Sequence, residues 1–233
     1  MPGRARGRRF PPGSAPHEGE RTVKNEIAGI RIPDSHLAAE ATELAREMSA
    51  PFLFNHVMRT YIFGALLAKR RGLALDLELF YVGAALHDLG LAARFRGPER
   101  YEVEGANAAS ELLKQHGVPE EAIGVVWDAI ALHTVRGVPP YKRPEVALLH
   151  VGTIMDITGK DLKELSADDV DEVLQAYPRL DFKRAFPQAI ADMLASKPET
   201  AFYNFTADIA ERLIPGFHAP NFYDVILAAP FKE

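Results

Sequence analysis

The chain has no cysteine among its 233 residues. Disulfide bonds and thiolate metal sites are therefore excluded, and any metal must rest on His, Asp or Glu. An excess of positive charge is missing as well. The 27 Lys and Arg against 32 Asp and Glu leave a formal net charge of -5, which provides no electrostatic footprint for nucleic acid or an anionic membrane. Nor does any stretch approach the roughly 18 apolar residues of a membrane span. Together these absences point to a small-molecule substrate with no nucleic-acid or membrane partner, and they suit a reducing cytoplasm.

β-Branched runs bounded by turn residues are scarce, so strands should contribute little and the fold class should be all-α. The opening "MPGRARGRRFPPGSAPHEGE" carries Arg8-Arg9, an echo of a twin-arginine signal, but prolines and glycines follow where a leader would be apolar. Residues 1–24 read as a disordered tail, and residues 25–233 as one domain. Within it, "HLAAEATELAREM" and "FNHVMRTYIFGALLAKRRG" repeat apolar residues at helical spacing, the second stopping at Gly72. Asp76 stands as an N-cap before the nearly all-apolar "LELFYVGAALHDLG". Further helices are expected to end at Gly117, to open near Pro119 and Pro144, to start from Ser166 with Asp169 as a capping box, and to cover "FPQAIADMLASK" and "FTADIAERLI".

The stretch "AALHDLGLAARF" sets His87 and Asp88 side by side at the end of an apolar run. Buried imidazoles and carboxylates are costly unless paired, hydrogen-bonded or bound to metal. Of the eight histidines, His17 lies in the tail, His116 and His218 stand beside helix ends, and His36 reads as an exposed first-turn residue. His56, His87, His133 and His150 remain, each inside or at the edge of an apolar helix. Asp156, in "VGTIMDITG", is the acid most isolated among apolar neighbours.

His56, then the adjacent His87-Asp88, then a distant Asp156, resemble the H…HD…D signature of the HD superfamily of metal-dependent hydrolases. "SAPFLFNHVMRTYIFG", "ELFYVGAALHDLGL", "RYEVEGANAA", "VWDAIALHT" and "KRPEVALLHVGTIMDITG" together resemble its cyanamide hydratase branch, from near residue 45 to the C-terminus. The resemblance implies an HD-domain helical bundle holding one divalent ion, Zn before Fe or Mn, on His56, His87, Asp88 and Asp156. It further implies hydration of a small nitrile-type substrate, cyanamide to urea, by a metal-activated water. Two imidazoles and two carboxylates balance a divalent charge. Adjacent helical residues point about 100° apart, so His87 and Asp88 share an ion most easily at a helix end, which Gly90 should supply.

In that scheme Asp88 holds or accepts the water proton and His133 donates to the developing imidate nitrogen. His133 alternatively binds a second metal or packs near Trp127. Phe54, Phe95 and Tyr101 are the candidate apolar lining for the substrate. His150 reads as core or as support to the ligands, and Asn55 either orients His56 or is a surface amide. Two-metal members of the superfamily place a histidine one helical turn before a Gly-Ala pair. Here Tyr101 stands before Gly105-Ala106, and a neutral phenol with a pKa of roughly 10 is a poor ligand, so one ion is expected at this centre. The rival activity is phosphohydrolysis of a nucleotide or other ester, for which Arg94, Arg96 and Arg100 would have to gather a phosphate rather than form a solvated loop. The C-terminal "VILAAPF" either covers the site or joins a second copy in a homo-oligomer.

Overall fold

A hairpin of two-residue strands, β1 (Glu26–Ile27) and β2 (Ile30–Arg31), opens the described chain and is paired antiparallel through Ile27 and Ile30. The computed structural model describes residues 25–231. The tail expected over residues 1–24 lies outside them. Helices follow: α1 (His36–Met48), α2 (Pro51–Arg71), α3 (Leu77–Leu86), α4 (Tyr101–Gln115), α5 (Glu120–Leu132), α6 (Pro144–Thr158), α7 (Ala167–Ala176), α8 (Phe182–Leu194), α9 (Thr206–Leu213) and α10 (Phe222–Leu227). The fold is an all-α bundle, and the hairpin is the only sheet among the described residues.

Local chemistry sets most boundaries. The Ser35 hydroxyl accepts from the Ala38 amide, Asp76 accepts from Glu78 and Leu79, and Ser166 accepts from Asp169, each relieving orphan donors of a first turn. Gly72 ends α2 in the left-handed region, at φ 63°, where a side chain would be strained. One boundary departs from the sequence reading. α8 begins at Phe182 and runs through Pro187, whereas the proline suggests a start near Phe186. The earlier start puts Phe182 and Phe186 one turn apart on the same face.

α2 is the central helix, buried almost without interruption from Leu53 to Ala68. It crosses α6 antiparallel at very short range. A Cβ on Gly152 would lie 2.4 Å from the Thr60 carbonyl oxygen, and one on Gly64 would lie 3.1 Å from that of Leu148. One turn further along the same seam, His56 of α2 meets Asp156 of α6. Small residues at the crossing thus set the distance at which the polar pair can meet.

Two apolar clusters flank this arrangement. The larger joins buried residues of α1 to α7. The smaller combines Leu53, Leu91 and Tyr101 with Phe182, Phe186, Ile190 and neighbours from α8 and α9. The polar residues singled out in the sequence lie at the seam between the two.

Candidate metal centre

α3 stops at Leu86, so His87 and Asp88 occupy a turn before a short 3-10 segment at Leu89–Leu91. Asp88 leaves helical geometry at φ -101°, ψ 10°, which lets the two adjacent side chains converge. Gly90 acts differently from the expected helix stop. It is not left-handed; instead a Cβ there would lie 1.9 Å from the Tyr101 carbonyl oxygen. Its bare backbone admits the start of α4 against the turn. Gly105 adds to this, since its Cβ would stand 3.2 Å from the His87 carbonyl oxygen.

Donor atoms of His56, His87 and Asp88 all lie within 4.8 Å of one another. His56 and His87 are fully buried and Asp88 is 3% exposed. Each imidazole is fixed by its other nitrogen. His56 Nδ1 is 2.6 Å from Asp156 Oδ2, and His87 Nδ1 is 2.8 Å from the Ala84 carbonyl oxygen. Both partners only accept, so both Nδ1 atoms carry the hydrogen and both Nε2 atoms present lone pairs. Those lone pairs face Asp88 Oδ2 at 3.7 Å and 3.4 Å. Burial also pushes the His87 pKa down, opposing the proton that would relieve the crowding.

Three electron-rich atoms, His56 Nε2, His87 Nε2 and Asp88 Oδ2, are thus buried together without a hydrogen-bond partner. Such an arrangement is unfavourable unless a cation sits among them. Two imidazole nitrogens and a carboxylate oxygen fit a borderline divalent transition metal. These three residues would hold it.

Asp156, expected as the fourth ligand, is placed differently. Its two oxygens receive Arg59 Nε at 2.7 Å and Arg59 Nη2 at 2.8 Å, a bidentate clamp, and one also takes the His56 Nδ1 hydrogen. Arg179 Nη1 adds contacts to its carbonyl and to Oδ1. Burial alone would raise the Asp156 carboxyl, but the hydrogen bonds from Arg59 and His56 outweigh it and hold the group far below the usual carboxylate range. Asp156 lies outside the cluster formed by His56, His87 and Asp88, and its hydrogen bond to Nδ1 ties the His56 ring to α6.

His133 closes the far side. Its ring centroid is 4.7 Å from that of His87, and its Nε2 lies 3.8 Å from Asp88 Oδ1 and 3.3 Å from the Tyr101 hydroxyl. Nδ1 donates to the Ile130 carbonyl oxygen at 2.6 Å, so Nε2 is an acceptor and Tyr101 donates to it. Burial, reinforced by His87, pushes His133 well below the usual histidine value, while burial raises Tyr101 well above the usual phenol value. Both groups are neutral near pH 7. His133 in this state accepts a proton; the expected role as donor requires that it first take one up. His150 Nδ1 donates to the His133 carbonyl oxygen at 2.8 Å and so supports that helix end.

Of the expected lining residues, only Tyr101 stands at the centre. Phe54 lies under the Arg46 guanidinium, 4.2 Å from its ring centroid, and packs in the larger core. Phe95 lines a surface groove of about 640 Å³ with Glu40, Leu44 and Arg94. The residues that cover His56 are Phe182 and Phe186, at 4.9 and 5.8 Å between ring centroids, stacked on each other at 5.0 Å. Asn55 turns away, donating to the Pro178 carbonyl oxygen. Arg96 and Arg100 are bonded to the Leu91 carbonyl and to Glu102, and Arg94 folds over Phe95. Arg59 escaped the sequence reading, although a cation three residues after His56 within the mostly apolar stretch Leu53–Ala68 shares its face and was the available signal.

The buried His/Asp cluster in a helical bundle is a candidate metal centre, and the family of the chain supports a metal-dependent hydrolase. The chain matches the HD domain family over residues 53–174 and belongs to that family, whose members bind divalent metals. The match takes in His56, His87, Asp88, His133 and Asp156 and ends before Phe182 and Phe186. Comparison with curated proteins finds no match.

Proposed function

We propose that the chain hydrates a small nitrile-type substrate, with cyanamide to urea as the reaction that fits best. The observation that carries this reading is the charge around the centre. Among the described residues the two guanidiniums beside it, Arg59 and Arg179, are both committed to Asp156. A phosphate ester brings negative charge that wants a free cation, whereas cyanamide is neutral. The stacked phenylalanines over His56 also favour a small, weakly solvated substrate.

His56, His87 and Asp88 would hold a divalent ion, which when bound would acidify a water and polarise a nitrile nitrogen. Asp88 Oδ1 lies 3.8 Å from His133 Nε2 and receives the proton lost by the adding water, passing it to Nε2 once the Tyr101 hydroxyl turns its hydrogen away. Once protonated, His133 returns that proton to the substrate nitrogen, and its low pKa favours prompt release. In the resting site the Tyr101 hydroxyl occupies the single Nε2 lone pair, and it can accept from Nε2–H once His133 is protonated.

The test is to incubate metal-loaded protein with cyanamide and, separately, with a panel of phosphate esters, following urea and phosphate independently. Urea without phosphate is expected. Phosphate release without urea overturns the proposal.

A further inference from the structure

α1 and α4 bring together a second set of metal donors, far from the first. His36 and Glu40 are one turn apart on α1, and His116 follows the last residue of α4. All three offer a donor atom within 4.8 Å of the others. His116 Nε2 lies 2.8 Å from Glu40 Oε2, and the His36 and His116 ring centroids are 5.1 Å apart.

These donors sit on rigid supports. Leu37, Ala38, Ala41 and Ala45 bury the inner side of α1, and the Ser35 cap fixes its first turn, so the rotation that presents His36 and Glu40 outward is set by packing. His116 is anchored by its backbone N–H on the Leu112 carbonyl oxygen, and the chain then turns at Gly117 in the left-handed region. Glu40 and His36 are exposed and His116 is half-buried, so an ion would exchange with solvent freely. Fifteen residues of α4 separate His116 from Tyr101, about 22 Å at the helical rise.

We propose that His36, Glu40 and His116 form a second divalent-metal site, of the borderline class that takes imidazole nitrogen with carboxylate oxygen, such as Zn2+. Three protein donors leave a position for water. The ion clips α1, which precedes the residues matched by the HD family, to the end of a helix that carries part of the buried centre. Because it binds the folded arrangement of two elements and finds no such cluster in the unfolded chain, it stabilises the bundle by mass action.

The test uses protein already loaded at the buried centre, dialysed against Zn2+, with metal counted per chain and Tm measured with and without added Zn2+. Wild type should hold one equivalent more than His36→Ala or His116→Gln, the latter chosen because glutamine can keep a hydrogen bond to Glu40. Zn2+ should raise the Tm of wild type and leave the Tm of both variants nearly unchanged. Affinity for the extra ion should fall by more than the roughly 10-fold that follows loss of an outer-sphere partner. Circular dichroism and urea formation should match wild type, separating this outcome from damage to the buried centre. Equal metal content in wild type and both variants, or a Tm response that survives in the variants, overturns the site.

Discussion

At the residue scale, the centre depends on which nitrogen of each imidazole is free. His87→Ala should strip the buried ion and abolish turnover while helical content persists, measured by metal analysis and circular dichroism; full metal and full rate would remove His87 from the donor set. Asp156→Asn should act through His56, lowering metal affinity by roughly 10- to 100-fold rather than eliminating binding. Asp156→Ala should be harsher, since it leaves the fully buried Arg59 guanidinium without its carboxylate, and loss of a buried partner costs about 3–5 kcal/mol. Urea denaturation would show it. The buried histidines also predict a pH dependence. Burial lowers the folded pKa of His133, so on acidification the unfolded chain takes up a proton first, below about pH 6.5. The stability of metal-free protein is therefore full above that value and declines as pH falls, by up to about 1.4 kcal/mol per unit for one proton. His133→Phe should flatten that slope by close to one proton, and an unchanged slope would mean that His133 is already solvated in the native state.

At the element scale, the turn carrying His87 and Asp88 is held by backbone approach. Gly90→Ala drives a methyl into the Tyr101 carbonyl, and overpacking of this kind typically costs about 1–3 kcal/mol. The variant should lose metal affinity with little change in helicity. Gly124→Ala, in α5 with open space around the site, should instead gain about 0.5–1 kcal/mol. Equal effects of the two changes would sink the close-approach argument. Elements of this kind were largely legible beforehand. Asp76, Ser166, Gly72 and Pro144 mark helix ends by local hydrogen-bonding and backbone preference, which a linear sequence carries. Gly90 was not legible in the same way, because its reason is a carbonyl on another element. Pro187 pointed to the wrong start for α8, since a proline within the second turn of a helix looks the same in sequence as one that opens it. The displaced start hid Phe182, and with it the aromatic cover over His56. Asp156 was legible as a polar residue tied to the centre, but its contact was not, because only the α2–α6 crossing reveals that Arg59 reaches it first.

At the scale of the whole molecule, the bundle and its cover come from different stretches of chain. The residues matched by the family supply the donors, and α8 supplies the stacked pair over His56. Phe186→Ala should therefore raise kcat/KM for bulkier nitriles relative to cyanamide, at a stability cost of about 3–5 kcal/mol for emptying a core aromatic. An unchanged ratio would mean that the pair does not limit substrate size.

The reach of Arg59 has a consequence for the order of assembly. It donates to the carbonyls of Tyr177 and Pro178, 118 and 119 residues along the chain, while His56 meets its own partner 100 residues away. Loops of that length close slowly and late relative to local helix formation. During synthesis, α2 and the His87–Asp88 turn emerge well before the segment that completes them, so the helices can form, and His87 can find its local Ala84 carbonyl, while the His56 imidazole remains unaligned. In refolding experiments, uptake of the ion at the buried centre should lag the recovery of helical signal, making metal capture a reporter of the final closure of the chain.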